Sequence, residues 1–232
     1  RERFSVVPAM AATISSEAEL DRLAAHPLVT GIAPDLPGAG TLDASVPLID
    51  ADERHTAGND GAGVVVGIMD SGVDTDHPNL SDDVVDQACF GDSDGAIDGA
   101  GFCPNGSDRQ TGIGSAEDDH GHGTHVGGII TSSGAVGDPG SAPGAEILPI
   151  KVLDSGNTFY FVSEIVAAWD WIIANNATLG IQVLNMSLGT NASFAGECDA
   201  NYPAAAAAVE SLRLLGITPI ASAGNNGSSS MG

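Results

Sequence analysis

Four apolar runs constrain this chain more than any other feature: GVVVGIMD (63–70), AEILPIKVLD (145–154), GIQVLNMSLG (180–189) and GITPIASAGN (216–225). Each is far too short for a membrane span. Each is also continuous rather than alternating, which is the pattern of a strand buried on both faces. Helical patterns lie between them. Ser163 is placed to cap a helix whose Ile165, Val166, Trp169, Ile172 and Ile173 form one apolar stripe. YPAAAAAVESLRLLG (202–216) opens with Pro203 in a first turn and closes on Gly216. Buried strands alternating with helices predict an α/β fold: a parallel β-sheet with helices on both faces. In such sheets ligands bind beyond the carboxyl ends of the strands. Asp70, Ser187-Leu188-Gly189 and Gly224-Asn225 all fall there.

The flanks read differently. Residues 1–36 form a short unit, in which Ser16 can cap a helix over EAELDRLAAHP and LVTGIAP follows as a strand. Residues 37–48 are linker-like, and 49–232 carry the α/β pattern. The tract 81–119 is polar, glycine-rich and without periodicity, so it reads as a surface insertion. Cys89 and Cys103 bracket part of it, and a short disulfide would pin that loop. Cys198 is then free, or paired with a cysteine beyond Gly232. The pattern lacks CxxC pairs and favours an oxidising compartment.

No run approaches 18 apolar residues, which excludes a helical membrane span. The opening RERFSVVPAMAA starts without Met and lacks a signal peptide's apolar core, so the sequence is expected to begin inside a longer precursor. The formal charge of −24, from 31 acids against 7 bases, repels phosphate backbones and argues against nucleic acid as a partner. It suits a saline or calcium-containing medium, or simply a secreted bacterial protein poor in lysine.

HGHGTHVGG (120–128) places His120, His122 and His125 together. A binuclear zinc site would need further histidines downstream, and none follows His125. Thr124 also stands where the common metallo-hydrolase motif has Asp. A single general base is the better reading. It needs a carboxylate to hold its tautomer, and Asp70 ends a buried strand as such an acid should. Asn225, after Ala-Gly at a strand end, can aim its amide at a developing oxyanion.

VVVGIMDSGVDTDHPNL (64–80), HGTHVGG (122–128) and ASAGNNG (221–227) resemble, in order, three signatures of the subtilisin-like serine proteases. SAPGAEILPIKVLD and VLNMSLG resemble the segments that family places between them. The resemblance implies a secreted serine endopeptidase acting through an acyl-enzyme on polypeptide substrates. It makes Asp70 the triad acid, His122 the general base and Asn225 the oxyanion donor. Ser187, Leu188 and Gly189 become the edge that pairs with extended peptide, and Ser222, Ala223 and Gly224 a wall of the specificity pocket. DSGNTFYF (154–161) becomes a second substrate-facing edge. His125 and His77 are then structural, with His125 expected to be buried, and His120 faces solvent.

Residues 1–36 resemble the tail of the family's inhibitory propeptide, which would make the chain a zymogen form with its own propeptide as a partner. No cofactor is required for catalysis and no metal ligand is assigned. The family's strong calcium site often has Asp where this chain has Asn79. Asp92, Asp94 and Asp98 have calcium-loop spacing but lack the closing Glu, so a structural calcium is admitted without being required. The family's nucleophile lies in a Gly-Thr-Ser-Met-Ala segment, of which NNGSSSMG (225–232) is at most an imitation. Ser228, Ser229 and Ser230 are loop serines, and these residues alone are expected to be inactive. Two other classes compete: a pseudoprotease that binds peptide uncut, and a zinc hydrolase built on the histidine cluster.

Overall fold

The computed structural model describes residues 2–3, 10–11, 14–30, 32, 45–92, 100–190 and 199–225. It divides into two compact units, Arg1–Gly40 and Thr41–Gly232. In the first unit, β1 (Glu2–Arg3) pairs antiparallel with β2 (Met10–Ala11), and α1 spans Glu17–Ala24. The Ser16 hydroxyl accepts from Glu19 N at 3.3 Å, and the Glu19 carboxylate accepts from Ser15 N at 3.0 Å, so the helix is capped as expected. The strand expected over LVTGIAP does not form among residues 28–30 and 32. Instead Val29 N bonds to His26 O at 2.9 Å and Leu28 N to His26 Nδ1 at 3.2 Å, which folds the chain into a turn.

The second unit opens with α2 (Ser45–Leu48) and α3 (Ala51–Thr56), so the end of the linker-like stretch is helical. Six strands follow: β3 (Val65–Asp70), β4 (Ala88–Phe90), β5 (Arg109–Thr111), β6 (Glu146–Lys151), β7 (Ile181–Met186) and β8 (Thr218–Ala221). The sheet order is β5-β4-β6-β3-β7-β8. All neighbours are parallel except β5, which runs antiparallel to β4. The four apolar runs thus became four strands with β3 at the centre, and the α/β fold with helices on both faces holds.

Alternation along β3 builds two cores. Val66 and Ile68 join Ile147, Val73 and Leu80 beneath α4 (His122–Thr131), whose Val126 and Ile130 pack on them. Met69 joins Leu148, Ile150 and Leu184 beneath α5 (Val162–Leu179) and α6 (Pro203–Leu214). Burying each such side chain is worth roughly 1.5–3 kcal/mol. Because side chains alternate, Asp70 emerges on the α4 face, one pleat beyond Ile68.

Two expectations need correction. Ser163 does not cap α5. The helix begins at Val162 with Phe161 in the cap position, two residues earlier, and the Glu164 carboxylate reaches back to Phe161 N at 3.3 Å and Tyr160 N at 3.2 Å. A glutamate in the first turn thus does the capping. Nor is 81–119 wholly a surface insertion. Ala88, Cys89 and Phe90 are buried in β4, hydrogen-bonded between β6 and β5. Three residues are too few to show a period. Cys89 and Cys103 form the expected disulfide, Cα–Cα 5.7 Å. Cys198 lies outside the described residues. No described helix is long and apolar enough to cross a membrane.

Candidate active site

The carboxyl ends of the neighbouring strands β3, β7 and β8 lie side by side, and the sequence-selected residues follow them. Asp70 ends β3, Ser187-Leu188-Gly189 follow β7, and Ser222 to Asn225 follow β8. Asp70 is fully buried and its Oδ1 lies 2.6 Å from His122 Nδ1. His122 opens α4, and its side chain remains 35% exposed. An imidazole anchored at Nδ1 and open to solvent has Nε2 available for proton transfer. When Nδ1 carries the proton, Nε2 is the acceptor.

Oδ1 also accepts from Ser71 N at 2.8 Å, whereas Oδ2 is buried with no hydrogen-bond partner among the described residues. A buried carboxylate oxygen bonded to Nδ1 fixes the orientation of the imidazole and leaves Nε2 on the solvent side.

The His122 turn is fastened by residues that sequence reasoning passed over. Asp118 Oδ1 accepts from His120 N at 3.0 Å, Gly121 N at 2.8 Å and the Ser71 hydroxyl at 2.9 Å. Its Oδ2 accepts from Thr124 N at 2.9 Å and Thr124 Oγ1 at 2.5 Å. Ser71 Oγ in turn accepts from Gly123 N at 2.9 Å. Burial opposes ionisation of Asp118, but the bonds from Thr124, Gly121 and His120 outweigh it and hold the carboxyl at about 2. The available signal was positional: an acid four residues before His122, near a helix start that lacks a capping side chain.

Beside the pair, two segments are tied together. Ser222 N bonds to Met186 O at 3.1 Å, and Ser222 Oγ donates to Leu188 O at 3.3 Å. Ser187 and Leu188 are half-buried, while Gly189, Ala223, Gly224 and Asn225 are exposed. On the far side of β3, 154–160 form a compact turn in which Asp154 accepts from Gly156 N, Thr158 N and the Tyr160 hydroxyl.

Of the other histidines, His120 is exposed, with its ring centroid 6.4 Å from that of His122. His77 is half-buried, and its Nδ1 accepts from Asn79 N at 3.2 Å. His125, expected to be buried, is exposed on α4. Gly127 is buried on the packed side of that helix, facing Leu80, Ile68 and Val73, and Val126 and Ile130 pack on the same core, so His125 falls on the outward side.

At Asn79 the donor set does not fit a cation. Nδ2 donates to Ser132 Oγ at 2.9 Å and Val136 O at 2.6 Å, and Oδ1 accepts from Val136 N at 2.6 Å. The amide closes the loop after α4 by itself. Of the 92–98 tract, residues 93–98 lie outside the described residues. Among the described residues no group of three or more His, Cys, Asp and Glu side chains converges as metal ligands would.

The chain is similar to known proteins over most of its length. The profile of the Subtilase family matches residues 61–232. Subtilisin DY of Bacillus licheniformis is 33% identical, over 82% of this chain and 58% of its own length. The alkaline protease of Alkalihalobacillus alcalophilus is 31% identical, over 98% of this chain and 52% of its own. Subtilisin E of Bacillus subtilis (strain 168) is 30% identical, over 99% and 52%. The structure of sphericase superposes with a TM-score of 0.57 at 28% identity, covering 73% of this chain and 48% of that one. The chain therefore spans between half and three fifths of the length of these curated relatives.

Proposed function

The chain belongs to the Subtilase family, and from that premise we propose that it carries the acid, the base and the oxyanion donor of a secreted serine endopeptidase. The observation that supports this most is the fully buried Asp70 carboxylate, 2.6 Å from an imidazole nitrogen whose ring still reaches solvent. Neither a purely structural histidine nor a peptide-binding groove needs that pairing.

In this reading the nucleophile is the serine hydroxyl of the family's Gly-Thr-Ser-Met-Ala segment, which is not among these 232 residues. By themselves they are therefore proposed to be inactive. The hydroxyl attacks the scissile carbonyl while His122 Nε2 takes its proton, and Asp70 holds the imidazolium formed. The negative charge developing on the carbonyl oxygen is met by the Asn225 side-chain amide, a contribution of about 3–4 kcal/mol for one such donor. His122 then gives the proton to the leaving amine, and an acyl-enzyme remains. Water, deprotonated by the same Nε2, releases the second product. No cofactor enters these steps.

Substrate would lie extended between Ser187-Leu188-Gly189 and the 154–161 turn, pairing its backbone with the strand-like edges. Ser222-Ala223-Gly224 would wall the pocket for the residue before the cut. The small side chains there suit a large apolar or aromatic group. Residues 1–36 are read as the end of an inhibitory propeptide, a reading supported by their separation as a compact unit of their own. The Cys89–Cys103 disulfide supports an oxidising, extracellular setting.

Fluorophosphonate labelling of the protein as its gene encodes it tests the reading. One serine should label, and peptide hydrolysis should fall by about four orders of magnitude in Asp70→Asn and by about six in His122→Ala, roughly as triad losses do elsewhere, with labelling slowed in both. No labelling, with peptide bound uncut, would replace it by the pseudoprotease reading. Stoichiometric zinc lost on His120→Ala would replace it by the zinc hydrolase.

A further inference from the structure

We propose that Lys151 is a positioning residue for the Asp70–His122 pair, holding the strand end that carries the acid to the loop that delivers the imidazole. The inference rests on the peptidase reading only for its effect on turnover. Lys151 is the chain's one lysine, it ends β6, and it is 1% exposed. It stands in register with Asp70 on β3 and with Cys89 on β4, so Lys151 and Asp70 emerge beside each other on the α4 face.

Its ammonium makes two short bonds. Nζ donates to the Ser71 carbonyl at 2.7 Å and to Asp119 Oδ1 at 2.6 Å. Ser71 directly follows the acid, and its N–H is bonded to the Asp70 carboxylate. Asp119 lies three residues before His122, in the turn that Asp118 fastens to the Ser71 hydroxyl. Ser71 is thus gripped at its carbonyl by Lys151 and at its hydroxyl by Asp118, and both grips lead to the 118–122 turn. The Phe102 ring, 5.8 Å from Nζ and next to the Cys89–Cys103 bridge, adds a cation–π contact to the ammonium.

Fold stability does not account for a lysine here. The positions behind it on the same face are Ile147 and Pro149, and an apolar side chain would continue that row. Replacing a buried ion pair by apolar packing is commonly neutral or stabilising. Asp119 is half exposed, so water can receive its carboxylate if the lysine is lost. What no apolar residue can do is join the Ser71 carbonyl to the 118–122 turn through one rigid group. A misplacement near 1 Å in a catalytic pair can cost about 100-fold in rate.

The test combines a readout without turnover with one that needs it, on the protein as its gene encodes it. With ¹⁵N-labelled histidine, the proton between His122 Nδ1 and Asp70 should give a low-field resonance. In Lys151→Met that resonance should broaden away or move upfield, while the urea midpoint falls little. There kcat should fall about 10- to 100-fold with KM within about twofold. Asp119→Ala, at a solvent-reaching position, should act in the same direction more weakly. Asp119→Asn, which restores an acceptor, should recover most of the loss. An unchanged resonance and kcat in Lys151→Met overturns the proposal, and should that variant not fold, the same result in Asp119→Ala does so. A protein that cuts no peptide, yet loses the resonance on Lys151→Met, removes the peptidase reading and keeps this one.

Discussion

Gly123 carries the tightest constraint at the site. A Cβ there would lie 2.0 Å from the Gly72 carbonyl oxygen and 3.1 Å from Asp70 Cβ, so α4 can begin against the end of β3 only because the side chain is absent. Gly72 meets the same demand from the other side, with φ +105 and a Cβ position 2.5 Å from Ala116 O. Gly128, further along the same helix, has nothing within 4 Å of its Cβ position. The two substitutions therefore separate. Gly123→Ala is expected to lower stability by about 1–3 kcal/mol, as overpacking does, and to lengthen the Asp70–His122 contact, with activity falling further than stability. Gly128→Ala should be neutral or stabilising by up to about 1 kcal/mol. Urea midpoints and peptide hydrolysis measured on both variants decide it, and equal effects would contradict the close-approach account. The pairing of Asp70 with His122 was legible in the sequence because one ends an apolar run and the other opens a helix. Ser71, Asp118 and Lys151 were not, because their work is done through hydrogen bonds across 32 to 80 residues of chain, which leave no local pattern.

At the scale of the element, the start of α4 is held by a carboxylate outside it. The N-cap Gly121, at φ +100, has no side chain, so Asp118 accepts the bonds a capping residue would. With its carboxyl held at about 2, its contribution is complete above the ordinary carboxylate value and is lost as pH falls toward 2. For a partly solvated group this amounts to about 1–2 kcal/mol between roughly pH 4 and pH 2. Asp118→Asn should lower stability at pH 6 and flatten the acid limb. Asp83 and Glu164, both raised mainly by burial, act with the opposite sign, so the slope belongs to the difference between wild type and variant. Urea midpoints at pH 6, 4 and 2.5 measure it, and parallel curves would dismiss the role given to Asp118. Elements with a long period were legible: β3, β6, β7, β8 and α6 lie where the apolar runs and the Pro203–Gly216 frame put them. The three-residue β4 was not. The start of α5 was misread because a Ser two residues inside the helix resembles a cap, while the Glu that does the work is a first-turn residue.

For the whole molecule the governing quantity is the net charge of −24, which acts on the fold without belonging to any one contact. Self-repulsion of that size destabilises the compact state, and salt relieves it because the screening length shrinks from about 10 Å at 0.1 M to about 3 Å at 1 M. The few cations do not offset it locally. Of the lysine and arginine ion pairs among the described residues, Arg213–Glu210 is exposed and worth little, while Lys151–Asp119 buries its ammonium and is only weakly screened. Salt should therefore separate two effects in one titration. Raising sodium chloride from 0.1 to 1 M is expected to raise Tm by a few degrees, since about 1 kcal/mol moves Tm by roughly 2–4 °C for domains of this size. The low-field His122 resonance should stay in place throughout. Chloride is the anion of choice, because sulfate would add stabilisation by exclusion from apolar surface. A Tm that is flat or falling over that range would mean that the acidic surface is already neutralised by bound counter-ions. A resonance that moved with salt would place the site's electrostatics at the surface rather than in the buried pair.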